Sequence, residues 1–169
     1  MKEPDILLRA LELEDLDFLY QIENDDRLWE LGVSNVPYSR RVLLDYISSA
    51  SADIYVDNQV RLIVENSRKE QVGIVDLTDF DPRHRRAELG IVIKKEFQGK
   101  GYAKASIVRL LQYARNILHL RQIYAIVGVR NQKAAKMLQS VGFEGDNVLK
   151  QWLCCQDGYE DAIFFQYFL

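Results

Sequence analysis

Residues 97–106 read FQGKGYAKAS, which places Gln98, Gly99, Gly101 and Ala103 within six positions directly after an apolar run. A strand, a glycine-rich turn and a helix in that order aim several unpaired backbone N–H groups at one point, where the positive end of the helix dipole also attracts phosphate oxygens. Gly99 and Gly101 allow a ligand to approach the backbone closely. Lys100 and Lys104 stand at the start of the predicted helix, where a cation opposes the dipole. Local helix stability does not account for them, whereas a bound anion does. The spacing is neither the nucleotide P-loop G-x-x-x-x-G-K-[ST] nor the dinucleotide G-x-G-x-x-G, because Lys104 occupies the last glycine position. A different phosphate carrier is implied.

The elements that must position this turn follow from periodicity. A short strand is predicted near Asp5–Arg9, then a helix over Glu14–Asn24 with Leu16, Leu19 and Tyr20 on one face and Glu14, Asp15 and Asp17 near its N-terminus. A second helix is expected at Ser39–Ala50. Val60–Glu65 and Gln71–Phe80, separated by NSRKE, read as a hairpin. Leu89–Ile93 is apolar on both faces, as in a strand inside a sheet. From Gly101 to about Leu118, Ala103, Ile107, Leu110, Leu111 and Ala114 make one helical stripe. Gln122–Val129 is a further strand, Asn131–Val141 a helix closed by Gly142, and the tail a hairpin turning near Asp157-Gly158. The result is about seven strands and about four helices.

At 169 residues and 48% hydrophobic content the chain is expected to form one domain, 1–169, with a core that needs neither disulfides nor metal. A net charge of −3 argues against nucleic acid as a partner and leaves room for cationic ones. The acidic N-terminus and the absence of any run near the roughly 20 apolar residues that span a bilayer point to a cytoplasmic protein without a membrane partner. Cys154 and Cys155 are adjacent, which suits reduced strand residues better than a bridge, and no metal-ligand spacing is present. His84 in a basic turn and His119 near a helix C-terminus read as structural.

Gln98-x-x-Gly101-x-Ala103 after a strand matches the Q/R-x-x-G-x-G/A motif of the GNAT family, the GCN5-related N-acetyltransferases, and Val129–Phe143 resembles that family's strand-then-helix signature N-x-x-A-x-x-x-x-x-x-x-G-F. Within the family, VGIVDL, HRRAE, FQGKGYA and the closing hairpin are similar to bacterial spermidine/spermine acetyltransferases. The resemblance implies an α+β, three-layer α/β/α fold with a mixed, mainly antiparallel sheet whose central strands splay apart. It implies acetyl-CoA as donor, with its pyrophosphate on Gln98, Gly99, Lys100, Gly101, Tyr102 and Ala103. The pantetheine would lie between Gly90, Ile91 and Val92, pairing with their backbone, and Ile126–Val129, with Asn131 bonded to the arm and Ala134 among the cofactor contacts; a plain N-cap is the other reading of Asn131.

Acetylating an amine requires its neutral form, yet an alkylamine of pKa near 10.4 is only about 0.04% neutral at pH 7, a cost of roughly 4.6 kcal/mol. Glu88, at the head of the strand beside the cofactor, is the candidate base, acting through water; pairing with Arg85 or Arg86 is the competing role. Many relatives protonate the departing thiolate with a Tyr, and here that position is Leu138. Tyr102, Tyr124, Cys154 and Cys155 are weak substitutes, each explained as well by packing. For the acceptor, QIENDDRLWE supplies Glu23, Asp25, Asp26 and Glu30, and Asp79 matches an acidic position of the polyamine enzymes. The acids that precede Pro-Tyr in those enzymes are Asn35 and Val36 here. The expected activity is therefore direct transfer of acetyl to a primary amine such as spermidine, with a homo-oligomer expected. A protein N-terminal acetyltransferase and a weakly catalytic CoA-binding regulatory module are the alternatives.

Overall fold

Alternation along a strand sends successive side chains to opposite faces of a sheet, and the central strands here carry unlike residues on the two. The computed structural model describes residues 4–29 and 36–169. In β3 (Gln71–Asp81), Val75 and Leu77 join an apolar cluster with Ile107, Leu110 and Ala114, whereas Ile74 packs with Phe18, Leu19, Leu43 and Ile47. The first cluster belongs to α5 (Tyr102–Asn116) and α6 (Gln132–Val141), the second to α1 (Leu16–Glu23) and α3 (Arg40–Ser49). Helices on both faces of one sheet make three layers.

The other strands are β1 (Ile6–Ala10), β2 (Val60–Asn66), β4 (Arg86–Ile93), β5 (Gln122–Gly128), β6 (Glu144–Cys155) and β7 (Gly158–Phe168), and the sheet order is β1-β2-β3-β4-β5-β7-β6. Every pairing is antiparallel except β4 with β5, which α5 joins as the crossover that a parallel pair requires. That pair holds only at Arg86↔Gln122, Ala87↔Ile123 and Glu88↔Tyr124. Beyond it β4 stays with β3 as far as Ile93↔Gly73, and β5 stays with β7 as far as Gly128↔Ala162. The central strands are splayed, as expected, and each keeps its outer neighbour while its inner edge faces a cleft.

Two short helices were not legible in the sequence. α2 (Asp26–Trp29) and α4 (Ile54–Asp57) bring the described total to six rather than about four, because four residues are too few to display a 3.6-residue period. α4 is instead set by its ends: Asp53 Oδ1 accepts from the Tyr55 N–H at 2.8 Å, and Asn58 closes it in the left-handed region. No helix among the described residues is long and apolar enough to cross a membrane.

The expected Glu14–Asn24 helix begins with a 3-10 turn, Leu13–Asp15, before α1. Asp15 is more than a favourable charge near a dipole. Its side chain is 2% exposed and accepts from both Arg9 terminal nitrogens at 2.7 and 2.8 Å, from the Glu12 N–H at 2.8 Å and from Gln71. Burial alone would raise its pKa, but Arg9 with the Glu12 and Gln71 donors holds the carboxyl below the ordinary aspartate range. A depressed pKa adds stability that is present above the unfolded value near 3.9 and is lost as pH falls through the native value. Asp15→Asn is expected to cost about 2–3 kcal/mol in urea unfolding at pH 7. The gap should close on acidification below about pH 4.

Candidate functional site

The open side of the β4–β5 splay is a cleft of about 710 Å³. Gly90, Ile91 and Val92 line one wall, Ile126–Gly128 the other, and Asn131 and Ala134 reach it from α6. Strand edges left without a partner present N–H and C=O groups that an extended ligand can pair.

The glycine turn adjoins the cleft at Gln98. Gly99 and Gly101 have φ of +74° and +86°, a conformation in which a side chain is strained. Gly101 is the N-cap of α5 and brings no side chain to it, and the first helical bond runs from Ala105 N–H to the Gly101 carbonyl. The N–H groups of Tyr102, Ala103 and Lys104 therefore precede the hydrogen-bonded turn, and no acidic residue stands in that turn. Gln98 lines the cleft and braces the turn, its Nε2 donating to the Ile93 carbonyl at 2.9 Å. The Tyr102 ring packs edge-on against Phe97 with centroids 5.7 Å apart, and the Lys100 ammonium lies 5.7 Å from the same ring.

Asn131 has the N-cap role that was its simpler reading: its Oδ1 accepts from the Ala134 N–H at 3.1 Å. The same residue lines the cleft, so capping fixes a side chain at the cleft wall. Lys133 was missed. It lies in the first turn of α6 and its Nζ donates to Gln98 Oε1 at 3.1 Å, which ties the two helix N-termini together across the turn. The reasoning that singled out Lys100 and Lys104, a cation set against a helix dipole, would have found it.

Glu88 stands at the point of the splay, half-buried, with no cation within salt-bridge distance among the described residues. Arg86, the competing partner, is turned to Asp81 at 3.2 Å. Burial first and the negative charge of Asp79 second push the Glu88 carboxyl above the usual glutamate range. Asp79 lies in a β-bulge between Thr78 and Asp81 and accepts a hydrogen bond from the Tyr124 hydroxyl. Farther along the cleft, Arg61 reaches Asp76 Oδ1 at 2.8 Å and Glu23 Oε1 at 2.7 Å. Those two carboxylates line the cleft with their cation already in place.

Of the other expected acids, Asp25 and Asp26 border a second cavity of about 930 Å³ beside Val92–Glu96, and the Asp25 carboxylate is held by both ends of the Arg27 guanidinium at 2.7 and 2.6 Å. Glu30 and Asn35 lie outside the described residues. Leu138, 2% exposed, lines the cleft where a hydroxyl was in question. Cys154 and Cys155 also line it, both free.

An open sheet split between two central strands, with a glycine-rich helix start beside the cleft and, among the described residues, a carboxylate without a cation at the vertex, is the arrangement of a CoA-dependent acyltransferase. The acetyltransferase (GNAT) domain model matches residues 5–144, and the chain belongs to that family of acetyl-CoA-dependent N-acetyltransferases. Spermidine N(1)-acetyltransferase of Vibrio cholerae serotype O1 is 33% identical over 157 residues, covering 93% of this chain and 89% of that one. The crystal structure of spermidine N-acetyltransferase from Vibrio cholerae in complex with CoA and spermine superposes with a TM-score of 0.84 at 32% identity, covering 96% and 95% of the two chains. A dodecameric structure of spermidine N-acetyltransferase from the same organism gives 0.81 at 32% identity, covering 96% and 93%.

Proposed function

We propose that the chain, acting as one catalytic unit over residues 1–169, acetylates a primary amine of a polyamine such as spermidine in the cytoplasm, with both substrates bound together. The observation that carries this reading is the half-buried Glu88 beside Asp79: two carboxylates without a counter-cation among the described residues, at the vertex of the donor cleft. An amine arrives as ammonium and finds its counter-charge there. A carboxylate in a partly desolvated place is more basic than in water, so Glu88 accepts a proton through water and leaves the nitrogen neutral. Similarity over nearly the whole chain to enzymes named for spermidine supports the choice of acceptor.

When bound, acetyl-CoA supplies a thioester carbonyl activated toward nitrogen. Gly90–Val92 and Asn131 would hold its pantetheine arm, and Gln98–Ala103 with Lys133 its diphosphate. A thiol is far more acidic than an alcohol or amine, a cysteine side chain having a pKa near 8.5, so the thiolate leaves without a protein acid at position 138. Lys133→Ala is expected to raise KM for acetyl-CoA about fivefold with kcat unchanged, the share of one charge-assisted contact; steady-state kinetics at fixed amine reads it.

Assembly of several copies belongs to the same proposal. The β6 edge of the sheet is open and exposes Val148 and Trp152, and a relative of the same fold is dodecameric. The deciding experiment is thiol release from acetyl-CoA across a panel of spermidine, spermine, short diamines and N-terminal peptides. Turnover with the polyamines alone supports the proposal. Turnover with peptides alone assigns protein N-termini, and tight CoA binding with no turnover assigns a regulatory module.

A further inference from the structure

Asp79 is held in an uncommon conformation. Its φ is +49°, in the left-handed region, inside a bulge that breaks the β3–β4 register between Thr78 and Asp81. Outside glycine the left-handed region is uncommon, with asparagine and aspartate its usual occupants, and bulges commonly re-aim a side chain beside a site. The side-chain hydrogen-bond partner of Asp79 is Tyr124. Its side chain is buried, its ring stacks on Phe164 with centroids 5.2 Å apart and planes 20° from parallel, and its hydroxyl donates to Asp79 Oδ2. Tyr124 is also the β5 residue opposite Glu88 at the last β4–β5 pair before the strands part. Residues from β3, β4 and β5, distant in sequence, thus converge at the vertex of the cleft.

We propose that Tyr124 is a positioning residue: its hydroxyl clamps Asp79 in the bulge so that a second carboxylate faces Glu88 where the acceptor ammonium arrives. The inference rests on the reading of Glu88 as base. Asp79 then does two things: it adds charge for the incoming cation, and it keeps Glu88 a stronger base than an isolated glutamate. Burial and the hydrogen bond to Asp79 raise the Tyr124 hydroxyl well above an ordinary phenol, so it stays a neutral donor throughout the working range. Among the described residues, the other charged groups lining the cleft are matched, Asp76 of β3 and Glu23 of α1 by Arg61 of β2 and Glu160 of β7 by Arg130, and Arg86 of β4 is turned to Asp81.

The test is the acid limb of the pH profile of kcat/KM for the amine, measured for Tyr124→Phe, Asp79→Asn, both together, and Glu88→Gln, with thermal unfolding recorded for each. If Tyr124 works through Asp79, each single variant moves the limb of Glu88 to lower pH by about half a pH unit, from loss of one nearby charge. The double variant then moves it no farther than Asp79→Asn alone. A Tyr124→Phe protein that folds and keeps the wild-type limb overturns the proposal, as do single effects that add in the double variant. Should Tyr124→Phe unfold, Tyr124→Gln, which retains a neutral N–H donor, must keep the wild-type limb, and failure to do so overturns it equally. A limb that survives Glu88→Gln removes Glu88 as the base and this inference with it, whereas a limb lost in Glu88→Gln and unmoved in Tyr124→Phe removes only Tyr124.

Discussion

Glu88→Gln is expected to lower kcat/KM for amine acetylation by about 10²- to 10³-fold and to leave the affinity for CoA within about twofold. The size follows from the cost of making an alkylamine neutral, roughly 4.6 kcal/mol at pH 7, of which a positioned base removes part. Glutamine keeps the shape and loses the proton acceptor. The direction with pH is fixed by the cause of the shift. Burial and Asp79 raise the Glu88 carboxyl above the glutamate range, so the wild-type rate should fall on acidification at a pH above the ordinary value near 4.3, where the base becomes protonated. The variant has no carboxyl to protonate and should lose that limb. On the alkaline side of neutrality the deficit should narrow, because more of the amine is neutral without help. A deficit that stays constant from pH 6 to pH 10 would show that Glu88 binds the acceptor without acting as a base.

Gly101→Val is expected to raise KM for acetyl-CoA by about 10²-fold with a smaller change in kcat. Gly101 has φ +86° and ψ −5° and is the N-cap of α5; a branched residue there pays roughly 1–2 kcal/mol of steric strain. Its Cβ would come 3.1 Å from Pro4 Cδ, tighter than an unstrained contact. The backbone relieves both by turning, which swings the N–H groups of Tyr102 and Ala103 away from the point they share. Two hydrogen bonds to a charged ligand at about 1.5 kcal/mol each amount to about 10²-fold in affinity. Gly99→Ala is the contrasting case, since a Cβ on Gly99 meets nothing within 4 Å although φ is +74°; its effect should be several-fold smaller. Calorimetric titration with CoA separates the two, and equal losses would show that backbone strain alone, without the geometry of the N–H groups, sets the affinity.

Legibility from the sequence tracked how local each feature is. Gly99, Gly101 and the start of α5 are contiguous, and so are Asn131 and α6; the φ angles of a few neighbouring residues set where their N–H groups point. The hairpins and the long helices followed from period alone, while α2 and α4 escaped because a single turn carries no period. The acidic stretch around Asp25 shows the opposite limit. Its composition suggested a cation-attracting loop, but the Arg27 side chain, two residues on, folds back onto Asp25. Glu23 likewise resolved into a partner of Arg61, on a strand 38 positions away.

The sequence by itself determined the glycine turn, the helices on either side of the cleft and, through two motifs in register, the kind of donor. Only the tertiary structure decided the corner around Glu88. The β4–β5 register places Tyr124 opposite Glu88, and a bulge in β3 turns Asp79 toward Tyr124. Arg61 settles onto Asp76 and Glu23, while Glu88 is left without a cation among the described residues. Charges are counted along a chain, but their compensation is settled by distances across strands. A strand shifted by one residue would send each of these side chains to the other face of the sheet.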